Sequence, residues 1–358
     1  MQSPFHEIWA GMGAAFAPVG GIELPRQFRG FRTEYDALAT GAAAADRSYR
    51  GRLRVTGKDR ASFLQNMLTN DVKAIATGAG VPAAFLTRQG KLVTDLVVFR
   101  LDDSYVLEME RERLGATRES LSRYVVSEDV TLEDDSDFAV AFSVDGPEAA
   151  EALSRSLDEA LPALAPYHWV FRRISGTRVR VAFVPHGPCP SFDVQVAETV
   201  APRALAEVLQ AGGSVGIVPA GFLALETRRV EAGIPQFGVD MDESHLPLEA
   251  RLDAGISFNK GCYIGQEYVA RLAHRGHVNR KLVGLSIAGE KVPEPKSPVS
   301  GAGAAVGHVT SSAFSPSLGC AIALGYVHRD FMEPGSEVSI ESGGTPSPAR
   351  VSALPFLS

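Results

Sequence analysis

Cysteine is scarce in this sequence: its 358 residues hold three, Cys189, Cys262 and Cys320. A sparse, odd count argues against a disulfide framework. With no C-x-x-C, the chain alone also lacks the usual ligand set for structural zinc or an iron–sulfur cluster. Long apolar runs are missing too. The longest uncharged stretch, Ala211 to Leu225, is interrupted by Gly and Pro and is too short to span a bilayer. The first basic residue besides histidine is Arg26, so the N-terminus reads as neither a signal peptide nor an Arg-rich transit peptide. These absences point to a cytoplasmic protein without a membrane partner. Positive charge is in deficit, 35 Lys and Arg against 42 Asp and Glu, which argues against direct nucleic-acid binding. There is no G-x-S-x-G, Walker A or H-E-x-x-H motif.

What remains is ordinary globular composition, 45% hydrophobic and 22% charged, at a length that suggests two or three domains. Arg52 to Gly57 alternates like a strand, and Lys58 to Leu68 follows with helical spacing. Ala83 to Leu86, a turn at Arg88-Gln89-Gly90, and Leu92 to Leu101 make a hairpin, with Tyr105 to Met109 as a third strand. Glu112 to Tyr124 reads as a helix. Val140 to Val144, Val179 to Val184 and Phe192 to Val196 read as strands, and Pro202 to Gln210 as a helix. Pro219 is expected to open a helix that runs through Glu231, with Gly233 as its C′ residue. After Glu290 a Pro/Gly/Ser-rich loop leads into short strand-like pieces, which suggest a small all-β domain or barrel.

The densest chemistry lies in Lys260 to Glu267, K-G-C-Y-I-G-Q-E. Gly261 and Gly265 would let the backbone bend sharply or approach a ligand closely. Lys260 could lower the pKa of the Cys262 thiol. From Lys260 to Lys281, five basic residues stand against one acid, Glu267, a local well for an anion. The plainer reading, a buried Cys262 and a solvated basic face, stands beside the functional one. Glu231 falls in the last turn of its helix, where the dipole disfavours a carboxylate. Arg228, three residues earlier, could offset it in a surface pair. Alternatively, the carboxylate is held there to accept two parallel N–H bonds from a 2-amino-4-oxo pyrimidine ring. Asp95 sits in an apolar strand, sharing a face with Val93, Val97 and Phe99. It must therefore be paired, hydrogen-bonded or shifted in pKa, either as a turn cap or as a site residue. His274 and His277 lack a neighbouring Cys or acid at ligand spacing, so no metal is expected. Gly301 to Gly307 has the wrong spacing and context for a dinucleotide loop.

The segment K-G-C-Y-I-G-Q-E resembles the signature of YgfZ-type folate-binding proteins, relatives of the glycine-cleavage T-protein, an aminomethyltransferase. The resemblance runs from about Tyr49 to Val327. It includes RLRVTGKDRASFLQNMLTNDV (Arg52 to Val72) and ETRRVEAGIPQFGVDMDESHLPLEA (Glu226 to Ala250). It implies a three-domain, ring-like α+β fold around a central tetrahydrofolate site, closed by a C-terminal β-barrel. The expected division is 1–275, with two interleaved α+β subdomains (about 50–135 one of them), and a barrel over 276–358. Glu231 matches the glutamate that grips the pterin. Arg228, Lys260, Tyr263 and Gln266 are expected with it at the folate or a one-carbon derivative. Lys260 is expected to be the cation nearest the ligand. Asp95 matches the second Asp of the T-protein's G-G-x-x-D-D segment, near the folate N10, while Thr94 replaces the first. Cys262 is expected to act in assembly or repair of iron–sulfur clusters, including those of tRNA-modifying enzymes. Its role could be a redox thiol, a cluster ligand or a one-carbon acceptor. The leading expectation is therefore a folate-binding accessory protein whose partners are iron–sulfur enzymes or assembly proteins. The alternative is a folate-dependent aminomethyltransferase or demethylating one-carbon transferase. A docking protein using the basic segment is the third class.

Overall fold

The computed structural model describes the chain except residues 136, 137, 213–215, 343 and 358, and except the side chains of His274 and Arg275. Residues 213–215 of the uncharged stretch, and the side chains of His274 and of Arg275, one cation of the basic run, thus lie outside the described part. Three β-systems organise the rest. The first is a five-stranded antiparallel sheet in the order Gly80–Leu86, Leu92–Arg100, Tyr105–Glu110, Arg50–Thr56, Thr131–Asp134. The helices Arg60–Met67 and Arg111–Ser122 follow strands of this sheet, and Phe63, Leu64 and Leu121 share a core with Leu53, Phe85, Leu96, Val98 and Leu107.

The second sheet has six strands, in the order Trp169–Ile174, Thr177–Phe183, Ser191–Val196, Val140–Asp145, Ala43–Asp46, Val218–Pro219. Its core is filled by Phe142, Val144, Val181 and Val194, with the amphipathic helix Ala201–Ala211 on one side and Trp9 of the helix His6–Gly11 among the same residues. The third system is a closed six-stranded barrel over Arg280–Ile287, Pro298–Gly301, Ala304–Ser315, Cys320–His328, Glu337–Ser342 and Thr345–Ser352. The first and last of these strands pair to close it, which removes free edges. The architecture is thus mixed α and β with a C-terminal barrel. Among the described residues no helix is long and apolar enough to cross a membrane.

The helix Phe222–Glu231 ties the parts together. Ala224 and Leu225 pack on Leu38 and Ala43 beside the second sheet, and Val230 packs on Leu282, Ile322 and Leu324 of the barrel. It begins three residues later than Pro219 suggests. Val218 and Pro219 instead form a short edge strand parallel to Ala43 and Ala44, a place where a missing N–H is tolerated. The helix entry is held from a distance, by Gly221 N donating to Glu34 Oε2 at 2.8 Å. Its exit is as expected. Gly233 has φ +67°, its N–H bonds Val230 O, and Ile234 N bonds Arg229 O, the two bonds of a Schellman motif. The Pro-rich segment after Glu290 is not all loop, since Pro298–Gly301 is a barrel strand.

Candidate functional site

The first sheet, the segments that follow two strands of the second sheet (Arg47 and 184–186), one face of the helix Phe222–Glu231 and the C-terminal tail line a cavity of about 370 Å³, within the range of small-molecule sites. The strand Leu92–Arg100 brings Asp95 to its wall. Asp95 opposes Ala84 in the hairpin, and its face carries Val97, another cavity residue. Val93 does not share that face. A bulge between Phe85 and Leu86 leaves Val93 unpaired and turns it toward the core of the first sheet.

Asp95 is half-buried as a residue, yet its Oδ1 is sealed from solvent and has no hydrogen-bond partner among the described residues. Burial raises its pKa above the ordinary carboxylate range, and the Arg50 guanidinium opposes the rise only in part. Arg50 is already engaged, with Glu110 at 3.1 Å and Glu108 at 3.6 Å. Burial and the neighbouring Asp95 charge push Glu110 upward as well, against Arg50. The neighbouring Thr94 is fully buried, and its hydroxyl bonds Asp95 O at 2.8 Å.

From the helix, Glu226 and Arg229 reach the same cavity. The Arg229 Nε donates to Glu226 Oε2 at 2.9 Å, and its Nη1 meets Asp240 Oδ2 at 2.6 Å. Residues 222, 225, 226, 229 and 233 line the cavity at helical spacing. Arg251 adds a cation that makes no hydrogen bond or ion pair among the described residues. Arg47, Arg50, Glu110, Glu226, Arg229, Arg251 and His186 are charged or titratable cavity groups, and none of them stands out in the sequence as a site residue. The i, i+3 spacing of Glu226 and Arg229 was the one readable signal among them.

The other expected site residues lie outside this lining. Glu231 is fully buried, and its carboxylate is saturated by protein donors: Tyr35 Oη at 2.6 Å, Ser315 Oγ at 2.5 Å and Arg228 Nη1 at 2.6 Å. Arg228 spends its second nitrogen on Cys189 Sγ, 3.2 Å away. Lys260 Nζ donates to three carbonyls, Gln65 O and Leu68 O at 2.6 Å and Asn70 O at 2.7 Å, at the C-terminus of the helix Arg60–Met67. Burial brings its pKa down to about 8. Tyr263 is buried against Leu86, Leu92 and Val269, and burial pushes its hydroxyl up to about 12. Gln266 Oε1 accepts from Tyr263 N at 3.2 Å. Cys262 is exposed on the loop before the helix Gln266–Arg275. The structure therefore unites Arg228 with Glu231, and Lys260, Tyr263 and Gln266 with the loop of Cys262, while Asp95 alone of the seven faces the cavity. Among the described residues no cluster of His, Cys, Asp and Glu fits a metal ion.

The two glycines of the motif differ. Gly265 has φ +83°, and an added Cβ would stand 2.6 Å from Thr87 O at the hairpin turn. Gly261 has open space and no such backbone demand.

Residues 5–260 match the model of the GCVT N-terminal domain, and residues 280–357 match that of the glycine cleavage T-protein C-terminal barrel domain. A protein of Chloroherpeton thalassium named aminomethyltransferase is 31% identical over 99% of this chain and 98% of its own. A Saccharopolyspora erythraea protein of the same name is 30% identical over 99% and 97%. The crystal structure of the glycine cleavage system aminomethyltransferase T from Bartonella henselae superposes with a TM-score of 0.91 at 22% identity, covering 100% of this chain and 98% of that one.

Proposed function

The chain belongs to the glycine cleavage T-protein family, and from that premise we propose that it is a tetrahydrofolate-dependent aminomethyltransferase. The observation that carries the reading is the orphaned Asp95 Oδ1 in the cavity wall. A buried carboxylate oxygen without a donor is costly, and the N–H groups of a reduced folate offer what it lacks. The fit extends to the rim. Arg251 has no partner among the described residues and suits the carboxylate tail of a folate. When bound, tetrahydrofolate supplies two nucleophilic nitrogens for the transferred carbon. The chain's part is to orient them, keep water out through the apolar walls of Val97, Phe222 and Leu354, and take protons at Asp95.

The names of the relatives support this reading over the iron–sulfur accessory role, which rests on the exposed Cys262 and its motif. One experiment separates the two. Purified protein is titrated with tetrahydrofolate by calorimetry and then assayed with an S-aminomethyl thiol for formation of methylenetetrahydrofolate. Turnover that survives Cys262→Ser and collapses in Asp95→Asn supports the transferase. A protein that binds tetrahydrofolate without turnover, and whose Cys262→Ser variant fails to restore iron–sulfur enzymes in a deletion strain, supports the accessory role.

A further inference from the structure

We propose that His186, oriented by the buried Asp193, is a second proton carrier of this cavity, beside Asp95. The inference rests on the transferase reading and adds a catalytic residue to it. His186 lies in the connection after the strand Thr177–Phe183, between Pro185 and Gly187, where it lines the main cavity and a small cleft behind it. Its Nε2 stands 2.8 Å from Asp193 Oδ1. Asp193 is fully buried on the strand Ser191–Val196, which pairs with the strand that precedes His186. Its Oδ2 has no partner among the described residues.

Burial alone would raise the Asp193 carboxyl, but His186, Arg47 and Arg52 hold it below the ordinary range. An ionised Asp193 accepts from Nε2–H, and in the neutral ring this tautomer leaves Nδ1 as the free acceptor. Nδ1 makes no hydrogen bond among the described residues. A base within hydrogen-bond reach of an orienting carboxylate is the arrangement that general acid–base catalysis uses. The charged groups at the ring and its cleft are Asp193, Arg47, Asp145 and Arg228, and the shared cavity adds the acids Asp95, Glu110 and Glu226 and the arginines Arg50, Arg229 and Arg251.

The chemistry moves two protons. Transfer from an aminomethyl group on a sulfur leaving group forms two N–C bonds to tetrahydrofolate. It breaks the C–S bond and the C–N bond of the amine. Two folate N–H protons are released; one ends on the sulfur and one on the amine nitrogen, which leaves as ammonia. No electron is gained or lost. Asp95 serves one proton and His186 the other.

The test uses the full chain, tetrahydrofolate and an S-aminomethyl thiol. His186→Gln is expected to keep its tetrahydrofolate Kd within about threefold and to lose turnover on the order of 100-fold. Asp193→Asn is expected to lose turnover and to displace one limb of the pH–rate profile, which a packing role would not move. Independently of turnover, the imidazole nitrogens of His186 in the wild-type protein, followed by NMR, are expected to shift on adding tetrahydrofolate. Full-rate His186→Gln with an unchanged pH profile overturns the inference while the transferase reading stands. So does an imidazole blind to bound tetrahydrofolate, even if the variants fail to fold. A wild-type protein that forms no methylenetetrahydrofolate removes the transferase reading, and this inference with it.

Discussion

Arg229 and Glu231 are two residues apart on one helix and face opposite ways. Arg229 lines the cavity, while Glu231 turns its carboxylate to Tyr35, Ser315 and Arg228. About 200° of helical rotation separates them. Glu231→Gln therefore acts first on folding. It leaves Arg228, itself largely buried, without its counter-charge, at a cost of about 3 kcal/mol. Urea denaturation should read that loss. Calorimetry on the folded variant should find tetrahydrofolate affinity within about twofold of wild type. A large loss of affinity with unchanged stability would restore Glu231 to the ligand.

Asp95→Asn should cost turnover on the order of 10²- to 10⁴-fold, the usual span for a general acid–base group. The same change should raise the stability of the free protein near neutral pH. The Asp95 pKa is raised in the folded state by burial. Its contribution to stability is thus intact at low pH and lost as pH rises through that raised value. Asn carries no such charge. Thermal melts from acid to neutral pH should show the two proteins diverging upward, with the variant higher.

Lys260 is a helix-end device in this structure. Its ammonium ties together three carbonyls that close the helix Arg60–Met67, where a cation also meets the negative end of the dipole. Lys260→Met strands those oxygens and should destabilise the protein by about 1–3 kcal/mol. Hydrogen exchange should localise the effect to the last turn of that helix, with folate binding retained. Protection unchanged at Leu68 and its neighbours would refute the assignment.

The residues that were legible in the sequence are those whose role follows from local pattern. Alternation exposed the hairpin that carries Asp95, and the apolar run around it marked the carboxylate as costly. Gly233 announced the end of its helix because a Schellman turn needs φ > 0 there. The barrel was visible as short strands between turns. What stayed hidden depends on contacts between distant segments. The bulge that removes Val93 from the face of Asp95 is set by the partner strand. Lys260 stood out as a ligand cation because it opens the basic run of its segment, while its three acceptors lie 190 or more residues away. His186 and Asp193 become a pair only through the pairing of two strands. The helical period did hold the direction of Glu231, since 222, 226, 229 and 233 share one face.

The two glycines of K-G-C-Y-I-G-Q-E should answer differently to the same substitution. Gly265 combines φ +83° with a backbone oxygen, Thr87 O, 2.6 Å from where a Cβ would stand, and Gly90 Cα lies 3.1 Å away. The carbonyl belongs to the turn of the hairpin that carries Asp95, so relief requires moving that turn. Gly265→Ala should cost about 1–3 kcal/mol in strain. Because the displaced turn leads into the strand of Asp95, turnover should fall further than stability alone explains. Gly261→Ala meets nothing within 4 Å and should be neutral to slightly stabilising, since alanine narrows the unfolded ensemble. Paired urea denaturation and turnover measurements decide it: equal effects at the two positions would mean that the loop is held by something other than its contact with the hairpin turn.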